Sequence, residues 1–148
     1  MVRGVVDGGW EVCGERRVTK SLEYVRRSGV WQAPPVAGKM LWSGAHVMNA
    51  SQTIELAEAI PDQLSGIALV WSRFFEGAVN DSRYSTDVVP KHVFGSGRIG
   101  NGRGWVFKPE LATDVSKYLY ISPTFIVGYA GNSAGVNGGA VLRYVIGV

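Results

Sequence analysis

The apolar residues of this chain come in runs that are the length of strands and too short for anything longer. The segment "GIALVW" at 66–71 is unbroken and rich in β-formers, and "KYLYI" at 117–121 is a second such run. The terminal "AVLRYVIGV" at 140–148 alternates, with Ala140, Leu142, Tyr144 and Ile146 on one face and Val141, Arg143 and Val145 on the other. Runs like these, bounded by Gly, Pro, Asn and Ser, are the pattern of half-buried or fully buried strands. Further strands are expected at 40–47, 53–56, 88–94, 104–108 and 124–129. The gaps between them leave little room for the crossover helices that a parallel sheet requires. The expected fold is therefore all-β: an antiparallel β-sandwich with long Gly-rich loops and a short N-terminal arm or helix.

Composition narrows the class. A chain of 148 residues suits one domain with its own core. Apolar residues make up 46% and charged residues 18%, which argues against disorder. The net charge of +3 is mild and does not call for nucleic acid. Cys13 is the single cysteine, so no internal disulfide is expected; His46 and His92 stand far apart without thiol partners, so neither is a metal site. The first nine residues reach Asp7 without an apolar run, unlike a signal peptide, and no run approaches the ~18 residues of a membrane span. A soluble protein made in a reducing cytoplasm, without membrane insertion, is the expectation.

Residues 1–38 are richer in charge and end in "APPVAG", a stiff linker-like stretch, so they are read as an N-terminal arm to a β-sandwich domain at 39–148. Within the arm, "SLEYVRR" at 21–27 could make two turns of helix with Ser21 as N-cap and Arg26 and Arg27 near its C-terminal end. At 51–64, Thr53, Ile54 and Pro61 favour a strand followed by a turn over a helix.

Two glycine-dense segments imitate catalytic motifs. Gly95, Gly97 and Gly100 have the spacing G-x-G-x-x-G, which binds a dinucleotide only where a strand precedes it and a helix follows. Here "NGRGWVF" follows, a strand pattern, and no Walker Lys-Ser/Thr pair closes the run. "GNSAG" at 131–135 matches G-x-S-x-G, yet no histidine lies downstream of Ser133 and the next element is again a strand. Both segments are expected to be loops between neighbouring strands, and half of the 20 glycines fall in the stretches 95–104 and 128–139 that contain them. Glu55 with Glu58, and Asp81 with Asp87, read as solvated charges. No catalytic residue, cofactor site or metal site is expected.

The aromatic residues offer the remaining candidates. Trp42 and Trp71 sit in strand-like runs and are expected in the core, as is His46, at the core or an edge. Trp105 beside a basic loop carrying Arg98 and Arg103, and Tyr84 in a polar loop, are the candidate surface contacts.

The ordered stretches "KMLWSGAHVMNASQTIELAEAIPDQLSGIALVWSRF" from Lys39, then "VVPKHV", "KYLYIS" and "VLRYVIGV", resemble a module of tail-tip and baseplate proteins in siphophages and prophages of Gram-positive bacteria. The likeness spans 39–148 and is similar in kind to Bacillus-type siphophage tail proteins; the sandwich resembles a domain of lactococcal phage receptor-binding proteins. It implies a non-enzymatic structural or adaptor protein of the virion tail, synthesised in the host cytoplasm. Its implied partners are other phage tail proteins and further copies of itself. The alternative implied is a receptor-binding module for host cell-wall glycan. The 95–104 region is more glycine-rich and basic than the module's usual loop, so no binding role transfers to it, and 1–38 match nothing in the module.

Overall fold

The structure is a computed structural model that describes residues 5–6, 9–11, 16–19, 22–27, 30–32, 37–94, 103–111 and 114–148. The chain divides into two compact units, Met1–Pro35 and Val36–Val148.

In the first unit, five strands form an antiparallel meander: β1 (Val5–Val6), β2 (Gly9–Glu11), β3 (Arg16–Thr19), β4 (Leu22–Arg27) and β5 (Val30–Gln32). The helix expected at 21–27 is therefore strand β4, and its proposed cap, Ser21, lies outside the described residues. A two-turn helix does not recover its nucleation cost alone, and Tyr24 and Val25 prefer extended backbone. As a strand the segment gains a partner on each side, with Val18 opposite Glu23 and Val25 opposite Gln32.

Among its described residues the second unit has eight strands: β6 (Met40–His46), β7 (Thr53–Glu55), β8 (Gly66–Phe75), β9 (Ala78–Pro90), β10 (Arg103–Phe107), β11 (Lys117–Ile121), β12 (Phe125–Val127) and β13 (Ala140–Gly147). They form two four-stranded antiparallel sheets, ordered β6-β13-β8-β9 and β10-β11-β12-β7. The expected all-β sandwich is what folds. Leu41, Ile67, Leu69, Trp71, Leu142 and Val145 of one sheet share a core with Ile54, Phe107, Leu119, Ile121 and Ile126 of the other. The rings of Trp71 and Phe107 meet between the layers at 6.5 Å.

Strand β13 is the structural spine, hydrogen-bonded to β6 on one side and β8 on the other. Its simple alternation does not persist. Leu142 pairs with Trp71 but Tyr144 pairs with Val70, so Arg143 is an extra residue, a β-bulge. Beyond it the faces exchange: Ala140 and Leu142 before the bulge and Val145 after it enter the shared core, Val141 is buried as well, and Tyr144 and Ile146 are only partly buried. A one-residue insertion reverses every later side chain because the strand repeat is two.

Strand β9 differs most from expectation. It begins ten residues before the expected start at Val88 and ends at Pro90, after which Lys91–Phe94 form a 3-10 turn. Most of the strand, "AVNDSRYSTD", is largely exposed as the edge of the sheet and so carries no hydrophobic alternation to read. Opposite Ser72 and Arg73, it accommodates Asp81, Ser82 and Arg83 as a wider bulge, with the Ser82 amide donating to Asn80 Oδ1 at 2.9 Å.

Deleting Val141–Val148 removes the strand between β6 and β8 together with buried Leu142 and Val145. Each buried apolar side chain contributes about 1.5–3 kcal/mol, against a domain stability of ~5–15 kcal/mol. The shortened chain is expected to lose cooperative thermal unfolding of the sandwich by circular dichroism; a retained melt would contradict the central placement of β13.

Candidate functional site

Strand β11 positions two sets of side chains by alternation. Lys117, Leu119 and Ile121 are buried, while Tyr118 and Tyr120 are half-exposed on the opposite face. Its neighbour β12 is short and pairs only with Tyr120 and Ile121. At Tyr118 the ladder is continued by a side chain. Asn132 Oδ1 accepts the Tyr118 amide at 2.7 Å, and Asn132 Nδ2 donates back to the Tyr118 carbonyl at 2.7 Å. The carboxamide, 1% exposed, thus stands in for the peptide of a missing strand residue.

The same Nδ2 also donates to the Met48 carbonyl at 2.8 Å, which the Tyr129 amide approaches at 3.0 Å. Met48 is fully buried and has φ of 63°, a left-handed conformation that costs a side-chain-bearing residue energy. Those hydrogen bonds hold it there. Gly128 lies so close to the Met48 and Asn49 carbonyls that a Cβ would collide with both. Beneath this junction the Lys117 amine, with no exposure, donates to the Val47 carbonyl at 3.1 Å and the Asn132 carbonyl at 2.9 Å. No described carboxylate forms an ion pair with it. Burial alone pushes the ammonium down from 10.5 to about 7.

On the outer face above this junction, three tyrosines cluster. Tyr118 lies 5.2 Å from Tyr120 and 5.2 Å from Tyr129, edge to face, and Tyr120 to Tyr129 is 6.5 Å. Tyr118 folds over Gly104 on β10, where any Cβ would strike its ring. This is the cross-strand cover that an aromatic gives a glycine. Exposed Val106, Phe125 and Tyr129 extend the patch, and Glu55 on β7 lies directly opposite Phe125.

Of the residues singled out by sequence, Tyr84 and Trp105 lie on different sheets. Tyr84 is exposed on β9, 6.5 Å from Tyr144 on the outer face of the other sheet. Arg143 pairs with Asp81 beside them and donates from Nε to the Gly44 carbonyl at 2.9 Å. Partial desolvation, then Asp81, raises the Tyr84 phenol above its ordinary value. Trp105 lies on β10 in the second sheet, half-buried and packed against the core, stacked with Phe94 at 6.5 Å and Phe107 at 6.4 Å. Arg103 opens β10 opposite Ile121. Arg98 and the G-x-G-x-x-G glycines at 95–100 lie outside the described residues.

Of the other polar candidates, Ser133 and Glu58 have local partners, whereas His46 Nδ1 and Asp87 Oδ2 are buried without one among the described residues. Ser133 Oγ donates to the Ala130 carbonyl at 3.2 Å within the 3-10 turn Ala130–Ser133, and a second turn, Gly135–Gly139, leads straight into β13. Glu58 is held below its ordinary value by Lys39 and Gln63, while burial pushes Asp87 up. His46 packs on Trp42 at 5.0 Å. An open cleft of about 540 Å³, lined by Lys108, Glu110, Asp114 and Ser116 among others, lies away from both tyrosine groups in its lining. Among the described residues no three His, Cys, Asp or Glu gather as metal ligands.

The sequence reading missed Lys117, Asn132 and the tyrosine cluster. The alternation of "KYLYI" already places Tyr118 and Tyr120 on one face with Lys117 on the other. Asn132 leaves no such signal, because its partners lie 14 and 84 residues away in sequence. No family model, curated protein or solved structure matches the chain.

Asn132→Ala strands the amide and carbonyl of Tyr118 and removes a donor from the Met48 carbonyl. At about 1–3 kcal/mol for each buried group left unmade, a loss of roughly 3–5 kcal/mol is expected by chemical denaturation. A loss below about 1 kcal/mol would mean that water or a rearranged backbone substitutes for the carboxamide.

Proposed function

We propose that this chain is a non-enzymatic structural or adaptor protein of a phage tail tip or baseplate. One observation carries the reading. The stretches on which the resemblance rests are the framework of a single unit: "LWSGA" is in β6, "TI" in β7, "GIALVWS" in β8, "KYLY" in β11 and "VLRYVIG" in β13. They supply most of the shared core, including Leu41, Ile54, Trp71, Leu119 and Leu142. A resemblance distributed over interlocking core strands reflects a common architecture better than one confined to a single loop. Within the G-x-S-x-G match, Ser133 donates to the Ala130 carbonyl inside its turn and Asn132 completes the ladder of β11 at Tyr118.

The exposed tyrosines favour a second reading, recognition of host cell-wall glycan. Tyrosine offers a sugar an apolar ring and a hydroxyl together, at little cost in side-chain entropy. Tyr129, Tyr120 and Tyr118 supply such a surface on one sheet and Tyr84 with Tyr144 on the other.

Mass spectrometry and immunogold labelling of purified particles, from a phage or prophage encoding this chain, test the first reading. The chain is expected in the particle, with label at the tail end; its absence from particles that are complete and infectious would refute the assignment. For the second reading, isolated host wall should retain the protein with at least millimolar affinity, about −4 kcal/mol. Tyr129→Ala or Tyr84→Ala is expected to weaken this retention at least several-fold. Equal retention by both variants would dissociate the tyrosines from binding.

A further inference from the structure

We propose that Lys117 is a proton-sensitive latch: as a neutral amine it ties the β6–β7 connection to the turn at Ala130–Ser133, and proton uptake loosens this junction and the tyrosine cluster built over it. The inference does not depend on the tail assignment.

The geometry matches an uncharged amine. A neutral lysine has two N–H bonds, and Nζ faces two carbonyls, Val47 at 3.1 Å and Asn132 at 2.9 Å. Protonation adds a third N–H and a full charge to a group with no solvent exposure. An unpaired charge in such a place is unfavourable. The surroundings supply little compensation. From β10, Phe107 lies directly opposite Lys117, with exposed Lys108 following it. From β11, Tyr118 projects to the other face. The β6–β7 side contributes Val47, Met48 and Asn49, with His46 ending β6, and the turn side contributes Asn132 with Tyr129 before it. The titratable side chains described in these segments are His46, Lys108, Tyr118, Tyr120 and Tyr129, and the described ion pairs lie elsewhere, at Lys39–Glu58 and Arg143–Asp81.

The direction of the pH effect follows from linkage. The amine titrates at about 7 in the folded chain and 10.5 in the unfolded one. Between these values the unfolded state holds a proton that the folded state lacks, so raising the pH stabilises the fold. Below about pH 7 both states are protonated, the penalty is fully present and this group adds no further slope. The released junction reaches the surface by a short path. Asn132 carries both the carbonyl that Lys117 grips and the carboxamide that holds Tyr118, while the Met48 carbonyl receives the Tyr129 amide.

The test compares the full chain with Lys117→Met, which keeps length and removes titration. The thermal midpoint of the wild type is expected to rise relative to the variant between pH 7 and 9.5, and near-ultraviolet ellipticity of the wild-type tyrosines to change with a midpoint near neutrality. Parallel midpoint profiles, or tyrosine ellipticity indifferent to pH across 5.5–8.5, would overturn the proposal. Should Lys117→Met fail to fold, the Cε resonance of Lys117 in the wild type decides: titration near neutral pH supports the latch, and no titration below pH 9.5 refutes it.

Discussion

The carboxamide of Asn132 substitutes for a piece of sheet that the chain does not provide. β12 is three residues long and leaves the upper part of β11 without a partner on that side. A backbone amide and carbonyl buried without partners would destabilise the fold by several kcal/mol. One planar side chain with a donor and an acceptor meets both needs. Because its second hydrogen bonds Met48, it also secures the connection to β6, which belongs to the opposite layer. The left-handed backbone at Met48, the close approach of Gly128 and the burial of Lys117 all depend on that arrangement.

The two layers present different outer surfaces, and both originate in local departures from regular strand geometry. On the β6-β13-β8-β9 sheet, the bulge at Arg143 turns its guanidinium outward to Asp81, itself part of the bulge in β9. Tyr84 and Tyr144 stand beside that pair. On the β10-β11-β12-β7 sheet, Gly104 leaves a gap in the strand surface that Tyr118 fills, drawing Tyr120 and Tyr129 into one aromatic group. Bulges and glycines in strands commonly re-aim side chains where a surface is used. The proposed role in a virion tail, or the alternative of wall-glycan recognition, would use surfaces of this kind.

The strands with an apolar run or alternation were legible from sequence: "GIALVW", "KYLYI" and the C-terminal run all appear close to where that pattern places them. The exposed part of β9 was not, since an edge strand wet on both faces carries no period-2 signal. Leu22–Arg27 reads as a short helix until β3 and β5 lie beside it. Tyr84 was recognisable as exposed because its neighbours are polar, whereas Trp105 reads as a surface residue only while Phe94 and Phe107, which stack on it, are considered separately.

Sequence by itself determined the all-β class, the approximate position of the buried strands and the loop character of Gly128–Gly139, because hydrophobic period and glycine density act over a few residues. Tertiary structure alone decided the inward face of β13 after Arg143, the role of Asn132 and the uncharged environment of Lys117. Those depend on hydrogen bonds and burial between residues as much as 84 positions apart, and no local pattern encodes a partner at that distance.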